Sequence, residues 1–294
     1  MLSSLLRRLA SRAAADPPAP TSPETLYLDD APGLRTILPH LQGTYAALVN
    51  SEYGLVIINR NDAGVGWQLA TRGSYDAEQM RLLGNLASAA PAGAVVLDIG
   101  ANIGITSLII ARAVGPAGLV HAYEPQRPLF HMLAGNLALN GIDNVHCHWM
   151  AVGRAPGEAR LPRIDYHAHT SFGSIELNRE RQSDAGQQAV GGEFDTVTLT
   201  SIDALDLRRV DLIKIDVEGM EADVLAGGSA TIAACKPLMY VEYLKSGKQA
   251  LGQALGDAGY AIYDAGDNFV CIPQGDSRLI TLTAELQLQR WSVA

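Results

Sequence analysis

Three groups of residues have the types and spacing to do chemistry. The first is VVLDIGANIGIT, Val95 to Thr106, where Asp98 lies in an apolar run and Gly100 and Gly104 precede a second one, Ile105 to Val114. Strand, glycine turn and helix in that order form a ligand site at the C-terminal edge of a sheet. Glycine lets backbone approach a ligand closely, and Asn102 tolerates turn conformations. Glu124 follows Gly100 by 24 positions, about the distance at which an acid takes ribose hydroxyls in nucleotide-binding folds. The second group is Lys214, Asp216 and Glu218 in DLIKIDVEGME, which share one face if the chain stays extended. The third is more scattered: Glu242 ends another apolar run, and His167 and His169 stand in a segment without regular pattern.

The glycine turn narrows the ligand. A dinucleotide would set an anionic pyrophosphate beside Asp98 and would want Gly-x-Gly-x-x-Gly, whereas this turn reads Gly100-Ala101-Asn102-Ile103-Gly104. S-adenosylmethionine has no phosphate and carries an ammonium and a sulfonium, which a carboxylate suits. Methyl transfer to an alcohol requires alignment of donor and acceptor and removal of a proton. Asp216 or Glu218 is a candidate base or hydroxyl ligand, as are His167 and His169. Lys214 in a central strand is expected to form a structural ion pair with a carboxylate. Asp216 with Glu242 also raises a divalent-metal alternative, which two carboxylates on adjacent strands do not establish; the expectation is no metal. The competing readings are a nicotinamide-dependent oxidoreductase and a non-catalytic module that binds the cofactor.

The elements that position these groups are readable in outline. Short apolar runs separated by helical stretches after Pro91 predict an α/β fold, with a Rossmann-like, mostly parallel sheet of seven strands. The runs are Val95 to Ile99, Leu119 to Tyr123, Val145 to Trp149, Leu212 to Asp216, Leu238 to Tyr243, Tyr260 to Tyr263 and Phe269 to Ile272. The short turn between the last two predicts an antiparallel hairpin at the sheet edge. The expected divisions are a flexible tail and linker (1–24), a small N-terminal α/β extension (25–90), the cofactor-binding domain (91–275) and a C-terminal tail (276–294). Within the extension, Thr44 to Leu69 reads as a β-hairpin or meander turning at Asn50-Ser51 and Asn61-Asp62, and Ser74 to Leu86 as a helix. Within the domain, 154–199 reads as an insertion poor in helix signal.

Composition sets limits on partners. The net charge of −9 offers no global attraction to phosphate backbones, so nucleic acid is not expected. No apolar run approaches the roughly 20 residues of a membrane span. MLSSLLRRLASRAAA at the start is amphipathic and reads as a frayed helix or tail, with weak membrane-surface contact as the alternative. Cys147, Cys235 and Cys271 lack metal or redox spacing and read as reduced thiols of a cytoplasmic protein.

VVLDIGANIGITSL, HAYEP with Glu124-Pro125, NLALNGIDNVHCHWMAVG and DLIKIDVEGMEADVLAGG together resemble the FkbM-type methyltransferases of the class I, Rossmann-like fold. The resemblance runs from about Tyr75 to Pro273. It implies a methyltransferase that uses S-adenosylmethionine, acting on an oxygen of a small molecule or glycan: a sugar, glycolipid or polyketide-like metabolite. By that likeness Asp98, Gly100, Ala101, Asn102 and Gly104 surround the methionine end, with Asn102 also at the neighbouring backbone, Glu124 takes the ribose and Ala151 lies beside the adenine, and Pro125 and Asp216 belong to the same cofactor site. Tyr75 and Glu78 fall where the family has a gate before its first strand. Ser171-Phe172-Gly173-Ser174 is similar to an acceptor-facing loop, although the family usually has Asn where Ser171 stands. Asp267-Asn268-Phe269 also looks familial.

Overall fold

The computed structural model describes residues 44–173 and 193–292. The amphipathic start, the linker to residue 24, Ser174 and the glycine- and glutamine-rich part of the insertion lie outside the described residues.

Strands β1 (Ala46–Ser51) and β2 (Gly54–Asn59) form the expected hairpin. Its turn is Glu52-Tyr53 rather than Asn50-Ser51: Gly54 takes φ +112°, and the Ser51 hydroxyl donates to its carbonyl at 2.8 Å. Asn61-Asp62 leads not into a further strand but into helix α1 (Val65–Arg72). Asp62 starts it, its carboxylate accepting the Gly64 and Gly66 N–H groups at 3.0 and 2.8 Å. Helix α2 (Ala77–Ser88) buries Met80, Leu83, Leu86 and Ala87 on one face, close to expectation.

The domain then alternates β3 (Val95–Ile99), α3 (Ile105–Val114), β4 (Leu119–Tyr123), α4 (Arg127–Leu139) and β5 (Val145–His148). The insertion follows, and its described residues include strands. Strands β6 (Ala151–Val152), β7 (Gly157–Pro162) and β8 (Phe194–Thr200) make a small sheet in which β8 is central. The alternation in FDTVTLT, with Val197 buried between exposed threonines, is its period-two signal. The chain continues through β9 (Leu212–Ile215), α5 (Glu221–Ala226), α6 (Ser229–Cys235), β10 (Leu238–Glu242), α7 (Lys248–Asp257), β11 (Tyr260–Ala265), β12 (Asn268–Pro273), α8 (Leu279–Glu285) and β13 (Gln289–Arg290).

The main sheet has the order β13-β11-β12-β10-β9-β3-β4-β5, so the mostly parallel α/β architecture is present. Two details correct the expectation. Antiparallel β12 does not end the sheet but lies between β10 and β11, pairing with both. Phe269, Val270, Cys271 and Ile272 are all completely buried, a pattern that demands cover on both faces and partners on both edges. An eighth short strand, β13, pairs with β11 beyond it, so part of the expected C-terminal tail is structured, and the Trp291 ring lies 5.2 Å from that of Phe269. Strand order reverses between β3 and β9, which puts a switch-point crevice at their C-terminal ends. Among the described residues no helix is long and apolar enough to cross a membrane.

The N-terminal hairpin is fastened by amides. Asn136 on α4 is fully buried; it donates to the Ile57 and Ile103 carbonyls at 3.1 and 2.8 Å and accepts the Ile57 N–H. Asn140 donates to the Leu55 carbonyl at 2.8 Å. Side chains thus pair with the edge of β2 as another strand would. Asn136→Ala strands these backbone groups and should cost about 2–3 kcal/mol of unfolding free energy in a denaturant titration.

Candidate functional site

The crevice is built around one buried ammonium. Lys214 on β9 has a side chain 4% exposed; its Nζ donates to the Gly100 carbonyl at 2.7 Å and lies 3.5 Å from both Asp98 Oδ1 and Asp216 Oδ2. Burial opposes the charge, but Asp216 and Asp98 outweigh it and raise the lysine pKa. The expected structural ion pair is therefore present, with a second carboxylate and the glycine turn added.

Gly100 has φ +81°, and a Cβ there would overlap the Asp216 carbonyl oxygen, so β3 and β9 can meet only through glycine. Gly104, φ +91°, starts α3, where a Cβ would come within 2.6 Å of Leu133 Cδ1; it serves helix packing and is not on the cavity wall. Asp98 is also off the wall. It is completely buried beneath the turn, its Oδ2 accepting the Thr106 and Ser107 hydroxyls at 2.7 and 2.6 Å. Its alternation phase in β3 points it under the turn toward Lys214.

A cavity of about 330 Å³ opens above Gly100 and Asn102. Glu124 forms one wall, 4% exposed, with Oε2 accepting the Asn102 N–H at 2.9 Å and Oε1 the Gln126 N–H at 2.8 Å. Burial pushes its pKa up to about 7. Pro125, Met150, Ala151, Val152 and Leu161 make an apolar wall, and Tyr75 and Asp76 line another side. Ser171 and Gly173 of the insertion also reach the cavity. Glu78 does not: it is exposed and borders a separate groove with Gln79, Lys248 and Asp264, since the first turn of α2 rotates it away from Tyr75.

Opposite Glu124 stand three carboxylates. Oxygens of Asp216, Glu218 and Glu242 lie within 4.8 Å of one another, all on the cavity wall. Glu218 has φ +56° and pairs with Lys245 at 2.7 Å; burial, then Asp216, pushes its pKa up to about 7. Glu242 Oε2 is buried without a hydrogen-bond partner, and burial followed by Asp216 raises its pKa to about 9. Glu221 is completely buried and begins α5, its Oε1 accepting the Val217 and Gly219 N–H groups at 3.0 and 3.2 Å, which fixes the bend that carries Glu218. The triplet is an oxygen donor set of the kind magnesium or calcium takes, with Lys214 and Lys245 already beside two of its members.

His167 and His169 are exposed and off the cavity wall. Their loop turns Tyr166 and Phe172 inward instead, stacked at 4.9 Å, and Gln126 ties it down by donating to the Phe172 carbonyl and accepting from the Tyr166 hydroxyl. The His167 ring packs edge-on against Tyr45. The geometry does not bring either histidine to Asp216. Gln126, Met150, Val152, Leu161, Asp76 and Lys245 line the cavity without having been anticipated. Gln126 directly follows the Glu124-Pro125 pair, but the others come from loops and the small sheet, where no periodicity marks them.

Glu242 gives a pH prediction. An acid whose folded pKa is raised stabilises the fold fully below its unfolded value near 4.5, and the contribution is lost as pH rises toward about 9. Glu242→Gln should match the wild type in thermal unfolding at pH 4 and exceed it at pH 8. Equal midpoints at both pH values would contradict the assignment.

Comparison with known proteins identifies a family. Residues 98–262 match the methyltransferase FkbM domain model. Methyltransferase 1 of Beauveria bassiana is 28% identical over 149 residues, covering 47% of this chain and 59% of that protein. Methyltransferase sdnD of Sordaria araneosa is 29% identical over 165 residues, covering 47% and 61%. The chain thus matches about three-fifths of the length of these relatives. Among solved structures, methyltransferase FkbM from Methylobacillus flagellatus aligns with 18% identity and TM-score 0.43 over 62% of this chain and 44% of that one. With more than half of its length matched by the family model, the chain belongs to the methyltransferase FkbM domain family.

Proposed function

We propose that the protein transfers a methyl group from S-adenosylmethionine to a hydroxyl of a small-molecule or glycan acceptor, a sugar, glycolipid or polyketide-like metabolite. What supports this reading is the lining of the cavity: the buried Glu124 carboxylate held by two backbone N–H groups, an apolar wall, and the three carboxylates Asp216, Glu218 and Glu242. Glu124 faces the ribose, Pro125 its neighbour, and Ala151 with Met150 and Leu161 the adenine. The acidic end suits a cation. A pyrophosphate fits poorly, because the Asn102 N–H of the glycine turn is already given to Glu124 and the carboxylates repel it. Three free cysteines suit a reducing compartment such as the cytoplasm.

S-adenosylmethionine, when bound, supplies an electrophilic methyl group for in-line displacement. Asp216, exposed to the cavity and 3.5 Å from Lys214, takes the acceptor proton. Glu242, whose burial beside Asp216 favours the protonated form, donates to the acceptor and orients it. Glu218, tethered to Lys245, closes that side of the cavity.

Calorimetry with S-adenosylhomocysteine and with NAD tests the cofactor: tight NAD binding without a response to S-adenosylhomocysteine overturns the proposal. Glu124→Ala should weaken S-adenosylhomocysteine binding by about 1.5–3 kcal/mol, the worth of hydrogen bonds to a charged group. Asp216→Asn should keep most of that binding while lowering turnover about 10²–10⁴-fold on an acceptor found by screening extracts with labelled methyl donor. Full turnover in Asp216→Asn removes the base assignment, and binding without turnover of any acceptor favours a non-catalytic module.

A further inference from the structure

Off the cavity wall, three imidazoles gather on β4 and the edge strand β5 of the main sheet. His146 and His148 are two residues apart on β5 and so share a face. In the parallel register His121 of β4 lies opposite His146. Ring centroids are 5.5 Å apart for His121 and His146 and 5.4 Å for His121 and His148. His121 Nδ1 and His148 Nε2 face each other at 3.1 Å, with the rings inclined by only 18°. Tyr123, 4.6 Å from His148, stacks against that ring and limits its rotation.

We propose that His121, His146 and His148 form a binding site for a borderline divalent cation of the zinc, nickel or copper class. Imidazole nitrogen suits these metals, whereas the three carboxylates of the cavity suit hard cations. Two metal–nitrogen bonds of about 2.0–2.1 Å at a tetrahedral angle span roughly 3.3 Å, close to the 3.1 Å between these nitrogens, which now aim at each other, so both rings must tilt to aim at one ion. His146 is exposed, so its ring has room to turn toward the same ion, and His121 and His148 are half-buried. The three rings do not yet converge as the cavity carboxylates do, so binding includes a rotation of His146.

The test is titration of tag-free protein with Zn²⁺ by calorimetry, and with Co²⁺ by absorption, at pH 7.5. Stoichiometric Zn²⁺ uptake is expected, with a Co²⁺ spectrum lacking thiolate charge-transfer bands. His148→Ala and His146→Ala should each weaken uptake by more than about tenfold. His146→Ala alters an exposed ring and keeps the fold. An Asp216→Asn/Glu242→Gln double variant should bind Zn²⁺ as the wild type does. Absence of uptake, a thiolate spectrum, or uptake that survives the histidine variants and disappears in the carboxylate double variant overturns the site.

Discussion

A single ammonium group, buried where two central strands end, governs the arrangement of this molecule. Lys214 is held by a carbonyl of the glycine turn on one side and by carboxylates from β3 and β9 on the others. A cation in that place is costly to desolvate, and only the convergence of all three partners offsets the cost. The consequence is rigidity where a cofactor cleft needs it. The turn cannot drift from β9 without leaving the lysine short of an acceptor, and Asp216 is positioned by the same group that fixes the floor beneath it.

This arrangement also explains why the sequence is legible at the centre and opaque at the rim. Runs such as VVLDI and LIKI read as buried strands because both faces are covered, and the glycines between them mark places where backbones touch. Glu124 follows from spacing alone. Asp98 shows the limit of such reading: its position in the motif is right, but whether a strand residue points into a cleft or beneath it depends on the phase of alternation at the strand end. Asp98 points to Lys214, and its electrostatic influence reaches the cavity through that lysine.

The rim obeys other rules. Asp62 is an ordinary turn residue by sequence, yet its carboxylate starts a helix where alternation suggests a strand, because two N–H groups need an acceptor there. Glu78 is near Tyr75 in sequence and on another face in space, as helical rotation requires. His167 and His169 have the chemistry of catalytic groups but lie on the outer side of a loop whose aromatic residues point inward. Periodicity locates elements, whereas the orientation of loop side chains is set by what they pack against, and that information is spread over distant residues.

The position of β12 bears on how the sheet is completed as the chain is made. The outer edge of β10 is filled not by the next strand in sequence but by the one after it, so the antiparallel partner of β10 is made only after β11. Until residue 271 is available, Met239 and Val241 on β10 lack their neighbours on that side, and the half-sheet presents an open edge of the kind that invites aggregation. The half of the protein that carries the glycine turn can thus be assembled early, while the edge beside Glu242 stays unpaired until almost the last strand arrives.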